Sequence, residues 1–224
     1  MQRAYFITGT DTGVGKTLAA SALLRGFTEQ GLRTVGMKPV ASGATEQSGE
    51  RVWEDVLQLQ AESSLDLPLA LRNPYRFDEP VAPHIAAAKI GQRIDIAAIR
   101  QAYHRLQDQA DIVIVEGAGG FHAPLNETQT MADLASQLDL PVILIVALRL
   151  GCINHALLTQ QAIHAQGLEF AGWIANRIDP AMLVPDENIE SLKQRLHAPL
   201  LGVLPYREHP AAQTALLHLH LEKL

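Results

Sequence analysis

The sequence lacks the features of a secreted, membrane-spanning or nucleic-acid-binding protein. Cys152 is its only cysteine, so the chain has no intramolecular disulfide, which favours a reducing compartment. It contains no apolar run of about 18 residues, the length that a transmembrane helix needs. The first residues have neither the basic region nor the apolar core of a signal peptide. The net charge of −6 disfavours binding to nucleic acid. We therefore predict a cytoplasmic protein that binds neither membranes nor nucleic acids.

What the chain does contain is apolar: 47% of its residues are hydrophobic and only 19% are charged. This composition favours a well-filled core, and 224 residues suit a single α/β domain, here residues 1–224. Short apolar runs alternate with stretches of helical spacing, so strands and helices are expected to alternate. The predicted strands are 5–8, 34–37, 112–115, 141–148, 170–175 and 200–204. The predicted helices are 18–30, 53–62, 94–109, 131–138, 153–166 and 189–196.

The strand-like runs show no polar alternation, which is typical of parallel strands buried on both faces. The predicted fold class is therefore α/β: a doubly wound, mostly parallel sheet with helices on both faces, resembling that of P-loop NTPases. Ligands of such folds bind at the carboxyl ends of the strands. Residues 66–84 hold four of the twelve prolines and are predicted to be irregular loop.

The most informative segment is GTDTGVGKT at 9–17, which lies between the first strand and the first helix. Strand, glycine-rich turn, Gly-Lys-Thr and helix follow in the order of a phosphate-binding P-loop. Its backbone amides and the helix N-terminus would face the phosphates. Lys16 would reach the β- and γ-phosphates, and the Thr17 hydroxyl would bind Mg²⁺. Five residues separate Gly9 from Gly15, one more than in the usual motif.

Two further strand ends carry charged residues. Glu116 follows the apolar run 112–115, where a carboxylate beside a P-loop holds Mg²⁺ in the Walker-B arrangement, although such an acid also often caps a turn. Lys38 follows the second strand and precedes Pro39, which fixes the local backbone. A second cation there would neutralise charge on a transferred phosphoryl group, with the Ser42 hydroxyl close by; a solvated surface lysine is the alternative.

The remaining candidates stay open on the residues alone. Asp55 is a second carboxylate for Mg²⁺ or simply an acid of a first helical turn. The segment 151–154 precedes a helix, whose N-terminal amides suit an anion such as a carboxylate. Cys152 has no partner for thiol chemistry and is interpreted as packing. Asn176 ends a strand, where its amide would contact a nucleotide base or form a turn. The nine histidines show no metal-ligand spacing.

Several segments together resemble the dethiobiotin synthetase family. They are GTDTGVGKT at 9–17, KPVASG at 38–43, NPY at 73–75, EP and PH within 79–84, VEGAGG at 115–120, GCINHA at 151–156 and AGWIAN at 171–176. The resemblance extends from residue 4 to about residue 206. The pair of motifs at 9–17 and 38–43 is specific, whereas a P-loop alone would not be.

This resemblance implies an ATP-dependent cyclo-ligase that converts 7,8-diaminopelargonic acid, CO₂ and ATP into dethiobiotin, ADP and phosphate. An amine of the substrate forms a carbamate, whose oxygen attacks the γ-phosphate to give a carbamic-phosphoric anhydride. The second amine then closes the ureido ring and expels phosphate. Magnesium is the implied metal, and a homodimer with shared active sites is the implied assembly.

The resemblance also assigns roles residue by residue. Lys16 and Lys38 are the implied catalytic residues, and Thr17, Asp55 and Glu116 the implied Mg²⁺ ligands. Thr12 and Ser42 would contact the substrate, and Gly151, Cys152 and Asn154 would bind its carboxylate in the neighbouring subunit's site. The implied nucleotide-binding residues are Gly13, Val14, Gly15, Lys16, Thr17, Asp55, Glu116, Gly117, Ala118, Gly119, Asn176, Arg177, Pro205 and Tyr206.

One position and one segment depart from the family, and a third feature, Asp11, separates this chain from a different class of ATPase. Relatives often carry a larger acidic residue at the position of Gly13, and the tail 207–224 shows no match. The alternative function is a nucleotide-switched ATPase that binds a partner protein. Such ATPases usually carry a lysine five residues before the P-loop lysine, and here that residue is Asp11.

Overall fold

The computed structural model describes residues 3–224, which form ten strands, nine α-helices and a short 3₁₀ turn at Leu221–Lys223. The strands are β1 (Arg3–Gly9), β2 (Thr34–Met37), β3 (Val40–Ser42), β4 (Thr45–Gln47), β5 (Glu50–Val52), β6 (Tyr75–Phe77), β7 (Ile112–Glu116), β8 (Val142–Ala147), β9 (Phe170–Asn176) and β10 (Leu200–Leu204). The helices are α1 (Lys16–Glu29), α2 (Glu54–Glu62), α3 (Leu69–Arg72), α4 (Pro83–Lys89), α5 (Ile96–Gln107), α6 (Met131–Leu138), α7 (Cys152–Ala165), α8 (Pro185–Lys193) and α9 (Ala212–Leu216).

Six strands form one parallel sheet in the spatial order β10-β9-β8-β1-β7-β2. The predicted parallel α/β fold is therefore confirmed. Strand β1 lies at the centre, between β7 and β8, so the loop after it emerges where the strand order changes direction. Two small sheets, β3-β6 and β4-β5, lie outside the central one.

The central strands are buried on both faces, which explains their lack of polar alternation. In β7, Ile112 and Ile114 pack into the core on the side of α1, whereas Val113 and Val115 pack into the opposite core. Neighbouring residues of one strand thus contribute to two different cores, and an apolar side chain is favourable at each position.

The predictions were wrong in the proline-rich part and at some helix ends. Residues 66–84 were expected to be loop, but they contain α3, β6 and the start of α4. The helix expected at 189–196 is Pro185–Lys193, with a proline in its first turn. The helix expected at 94–109 is Ile96–Gln107, because the Asp95 side chain caps it by accepting from the amide of Ala97.

The tail beyond Tyr206 is packed onto the domain. Leu216 of α9 and Leu221 lie against Gly26 of α1, so closely that a Cβ at Gly26 would approach them to 2.6 and 2.9 Å. Within residues 3–224 there is no helix whose length and apolar character would allow it to cross a membrane.

Candidate active site

The P-loop joins β1 to α1 at the centre of the sheet. Lys16 is the first residue of α1, and its ammonium Nζ donates a hydrogen bond to the Asp11 carbonyl oxygen at 2.8 Å. Gly13 and Gly15 have φ angles of 73° and 95°, in the left-handed region that favours glycine. These two residues allow the chain to turn back over the start of the helix.

Asn176 supports this loop from the end of β9. Its buried amide Nδ2 donates to the Val14 carbonyl at 2.9 Å. A Cβ placed on Gly15 would come within 2.2 Å of the same nitrogen. The close contact requires glycine at position 15 and links the P-loop to the strand end where a nucleotide base was predicted to bind.

Four side chains, each from a different element or its end, meet beside the loop. The register of β2 and β7 pairs Met37 with Val115, so Lys38 and Glu116 follow side by side. Lys38 Nζ lies 2.6 Å from Glu116 Oε1 and 2.9 Å from Asp55 Oδ2, near the start of α2. Thr17 Oγ1 donates to the same Glu116 oxygen at 2.8 Å. The geometry thus brings the predicted second lysine together with all three predicted Mg²⁺ ligands.

Both lysines of the site are shielded from solvent, with opposite effects on their pKa values. Burial lowers the pKa of Lys16 to about 8, and the charge of Lys38 adds to this effect. Burial also opposes the charge of Lys38, but Glu116 and Asp55 outweigh it and hold the pKa of Lys38 above its ordinary value. Lys38 is therefore a permanent cation at neutral pH.

The group of oxygen atoms around Lys38 also suits a hard divalent cation. Glu116 is 1% exposed, and its Oε2 accepts no hydrogen bond from any residue between 3 and 224. Such an orphaned buried carboxylate oxygen is costly unless a cation or donor satisfies it. The described residues contain no cluster of three or more His, Cys, Asp or Glu side chains suited to a metal. Because only two carboxylates meet at this point, an ion held here would use Glu116, Asp55 and the Thr17 hydroxyl, with phosphate and water oxygens as further ligands.

A cavity of about 660 Å³ opens over these groups. Its polar lining includes Thr12, Lys16, Lys38, Ser42 and Glu116. Its apolar lining, called the apolar wall, is formed by Val40, Pro80, Val81, Ala82, Pro83, Ala118 and Ala123. The cavity therefore offers charged groups for phosphate next to an apolar wall that suits an aliphatic chain.

The predicted nucleotide-binding residues fall into three groups. Gly13, Gly15, Lys16, Thr17, Asp55, Glu116, Ala118 and Gly119 line the cavity. Val14 and Gly117 lie behind it: Val14 is buried, and Gly117 packs so tightly that a Cβ there would lie 3.2 Å from the Phe6 ring. Asn176, Arg177, Pro205 and Tyr206 lie outside the cavity, at the paired ends of β9 and β10.

The base end of the predicted site is open to solvent. Tyr206 is 47% exposed, and the Arg177 guanidinium pairs with Asp186 at 2.5 Å. The Arg177 amide donates to the Leu204 carbonyl, which ties the two strand ends together. These residues form a shelf beside the P-loop rather than a wall of the cavity.

The predicted carboxylate-binding residues Gly151, Cys152 and Asn154 do not line the cavity of their own chain. They form the start of α7, where Gly151 has a φ of 95°. Cys152 is buried, with Sγ 3.8 Å from Asn188 Oδ1, so its thiol contributes packing. Leu150 beside it is 99% exposed.

An ion pair joins this turn to the P-loop. Arg149 Nη2 lies 2.6 Å from Asp11 Oδ2, and the Asp11 carboxylate also accepts from the Thr12 amide at 2.7 Å. The hydrogen bond from Thr12, the guanidinium of Arg149 and the nearby His155 lower the pKa of Asp11. The acid at position 11 thus has an internal partner within its own chain.

The apolar wall and the support behind Lys38 were not predicted from the sequence. Pro80 and Pro83 belong to the family-like EP and PH pairs and to the predicted loop, but nothing in a single sequence shows that this loop folds over a distant strand end. Asn73 was noted without a role, yet it is fully buried against the Lys38 backbone. The sequence offered one signal for this position, which is that Asn73 directly precedes a proline, Pro74.

Comparison with known proteins finds a matching family model and two similar proteins that share one name. A family model described as an AAA domain matches residues 3–214. The chain is 58% identical over 204 residues to the ATP-dependent dethiobiotin synthetase BioD of Aromatoleum aromaticum, covering 91% of each protein. It is 52% identical over 213 residues to the protein of the same name from Nitrosospira multiformis, covering 95% of this chain and 92% of that protein.

Solved structures share the fold at low sequence identity. The septum site-determining protein MinD of Pyrococcus horikoshii, in complex with Mg-ADP, superposes with a TM-score of 0.58. Its identity to this chain is 18%, over 97% of this chain and 86% of that structure. The likeness extends to the fold alone.

Proposed function

This chain belongs to the AAA-domain family and, within it, to the ATP-dependent dethiobiotin synthetases of biotin biosynthesis, and from this premise we propose how its residues carry out the reaction. The enzyme is an ATP-dependent ligase that makes dethiobiotin. The proposal concerns the order of bond changes, the role of each side chain, the metal and the assembly.

We place phosphoryl transfer to a carbamate at the polar side of the cavity. One amine of 7,8-diaminopelargonic acid adds to CO₂ and loses a proton, which gives a carbamate. A carbamate oxygen attacks the γ-phosphorus of ATP, and ADP leaves. The second amine then attacks the carbonyl carbon of the anhydride and loses a proton, the C–O bond to phosphate breaks, and phosphate leaves as the ring closes.

The observation that carries the proposal is the position of Lys38. Lys38 is 5% exposed and permanently charged, and it lines the same cavity as Lys16. Phosphoryl transfer depends on positioning and on neutralising the charge of the equatorial oxygens. Lys16 would bind the β- and γ-phosphates, and Lys38 would stabilise the γ-phosphoryl group as it moves to the carbamate.

The substrate's two ends would meet different surfaces. Hydroxyls of Thr12 and Ser42 line the cavity near the lysines and would orient the diamine or its carbamate. Val40, Val81 and Ala123 would bury the aliphatic chain. The adenine would lie against the shelf at Asn176 and Pro205, outside the cavity.

Mg²⁺ would be held by Thr17, Asp55 and Glu116. When bound with ATP, the ion supplies charge neutralisation at the phosphates. The carboxylates of Asp55 and Glu116 also form ion pairs with the Lys38 ammonium. Mg²⁺ would therefore share these ligands with an internal cation, the Lys38 ammonium.

A homodimer would complete the site. The N-terminal ends of α7 and α8 carry exposed apolar side chains: Leu150 is 99% exposed, Leu183 83% and Val184 56%. Cys152 Sγ lies 3.8 Å from Asn188 Oδ1, so the starts of the two helices are neighbours, and exposed apolar side chains that lie close together mark protein contacts. The turn at Gly151–Asn154 directly follows Leu150 and would bind the substrate carboxylate of the neighbouring subunit, with helix-terminal amides as donors.

The test measures phosphate release with each substrate omitted in turn. We expect ATP turnover to require both the diamine and bicarbonate. Lys38→Ala should lower kcat by about 10³-fold while a fluorescent ATP analogue still binds. Lys193→Ala removes an exposed lysine and is the matched control, with unchanged turnover. Near-normal turnover of Lys38→Ala, or activation by a partner protein without diamine, would contradict the proposal.

A further inference from the structure

The side chain of the buried residue Asn73 is hydrogen-bonded to the backbone of Lys38. It follows α3, precedes Pro74 and is fully buried. It does not line the cavity and touches none of the proposed substrate or metal positions. Its side-chain hydrogen bonds go to the Lys38 and Tyr75 carbonyls, so Lys38 is the proposed catalytic residue that it contacts.

One amide group serves two carbonyls. Asn73 Nδ2 donates to the Lys38 carbonyl at 2.6 Å and to the Tyr75 carbonyl at 3.1 Å. The two hydrogens of a side-chain amide are both used in this way. A hydroxyl would serve only one carbonyl, and a carboxylate would repel both.

Backbone hydrogen bonds hold the same segment from both sides. The Lys38 amide donates to the Arg72 carbonyl at 2.8 Å, and the Tyr75 amide donates to the Pro39 carbonyl at 3.1 Å. Asn73 lies between these two bonds in sequence and bridges them in space. The Lys38–Pro39 link between β2 and β3 is thereby tied to residues 72–75.

The other end of Lys38 is equally constrained. Its Nζ contacts Glu116, Asp55 and the Gly117 carbonyl, the last at 3.3 Å. A lysine side chain has four rotatable bonds and loses considerable conformational entropy when it is fixed. Anchoring both its backbone and its ammonium leaves a single position for the charge, as phosphoryl transfer requires.

The orphan oxygen of Asn73 indicates why an amide occupies this position. Oδ1 is buried and accepts no hydrogen bond from any of the described residues. A residue kept only for packing would avoid this cost with an apolar side chain of the same size. The position therefore uses the two donors in spite of the unsatisfied oxygen.

We propose that Asn73 is a positioning residue for Lys38 in dethiobiotin formation. This inference rests on the catalytic role proposed for Lys38. If the amide is lost, the Lys38 carbonyl and its backbone shift, and the ammonium no longer meets the transferring phosphoryl group in the right place.

The first experiment compares Asn73→Asp with wild type. We expect kcat to fall about 10- to 100-fold, since small misplacements of a catalytic group have effects of that size. The affinity for a non-hydrolysable ATP analogue should change by less than about threefold, because Lys38 acts on the transition state. Gln160→Glu is the matched control. Gln160 is a buried amide that donates to the Arg195 carbonyl and accepts from the His197 amide, remote from the cavity.

The second experiment repeats the substitution in a Lys38→Met background, under single-turnover conditions with excess enzyme. Asn73→Asp should then cause less than about a twofold further loss, because its target is already absent. Asn73→Ser keeps one donor and should retain more activity than Asn73→Asp, and it serves if the latter fails to fold. Thermal unfolding of each variant separates misfolding from misplacement.

Two results would overturn the inference, and a third concerns its premise. Turnover of Asn73→Asp equal to that of wild type would show that Lys38 needs no such anchor. An equal loss in both backgrounds would show that Asn73 acts elsewhere. If Lys38→Met alone kept wild-type turnover, the catalytic role of Lys38 would fall first, and the positioning role of Asn73 with it.

Discussion

Oε1 of Glu116 accepts hydrogen bonds from Lys38 Nζ at 2.6 Å and from Thr17 Oγ1 at 2.8 Å. One buried oxygen thus connects the lysine after β2, the strand β7 and the first turn of the P-loop helix. Lys38 and Glu116 are buried together, so each stabilises the charge of the other. Removing Lys38 leaves the Glu116 carboxylate without its ion-pair partner, and removing Glu116 leaves Lys38 only the partly exposed Asp55.

This dependence predicts strong coupling in stability. Glu116→Gln and Lys38→Met should each lower the free energy of unfolding by about 2–4 kcal/mol, and the double variant by less than their sum. Urea unfolding of the four proteins gives a coupling energy of about 1–3 kcal/mol. The exposed pair Arg93–Glu127 is the control, with an expected coupling of about 0–1 kcal/mol. Additive losses at Lys38 and Glu116 would contradict the buried ion pair.

The two left-handed glycines of the P-loop should differ in their tolerance of a side chain. Alanine costs about 1–2 kcal/mol of backbone strain at either position. At Gly15 it also collides with the Asn176 amide at 2.2 Å, whereas among the described residues no heavy atom beyond Gly13 and its two chain neighbours lies within 4 Å of a Cβ at Gly13. We therefore expect Gly15→Ala to abolish binding of an ATP analogue and Gly13→Ala to retain it. Equal affinities, measured by calorimetry, would refute the role of the Asn176 contact.

Nucleotide affinity should decline above pH 8. Burial, helped by Lys38, lowers the pKa of Lys16 to about 8, so the free enzyme loses the Lys16 charge as the pH rises through that value. The charged form binds phosphate, and hence the Kd of an ATP analogue should rise by up to about tenfold per pH unit above 8. Lys16→Arg keeps its charge throughout and should show a flat profile. A flat profile for wild type between pH 7 and 9.5 would disprove the lowered pKa.

The sequence was sufficient to predict the P-loop and the central sheet because these features depend on local patterns. Apolar runs without alternation and the order of glycine, lysine and threonine are visible in a single chain. The meeting of Lys38 with Glu116 was less accessible, since it depends on β2 pairing with β7 across more than 70 residues. Asp55 could be placed only through the family resemblance.

The proline-rich segment shows where local patterns fail. Strand β6 exists because Tyr75 pairs with Val40, and α3 because its end packs behind Lys38; both depend on distant partners. The same segment carries Asn73, which binds the Lys38 carbonyl, and Pro80 and Val81, which line the cavity. Short elements of three or four residues carry too little periodicity for such contacts to be inferred from sequence.

The proposed dimer predicts an effect of Leu150 on assembly. Leu150→Glu places a charge at an almost fully exposed apolar position next to the turn at Gly151–Asn154. We expect a monomer in analytical ultracentrifugation and a loss of turnover, with the fold retained by circular dichroism. Ile90→Glu alters another exposed apolar residue, at the end of α4, and should leave both unchanged. An active monomer would contradict the shared site.

The central claim is that a carbamate oxygen receives the γ-phosphoryl group beside Lys38. The most direct measurement follows ¹⁸O from labelled bicarbonate during a single rapid turnover with diamine and ATP. If the carbamate attacks the γ-phosphorus and the C–O bond breaks on ring closure, each phosphate released carries one oxygen from bicarbonate. Mass spectrometry of the phosphate should therefore show one ¹⁸O per molecule, whereas phosphate without label would contradict the account.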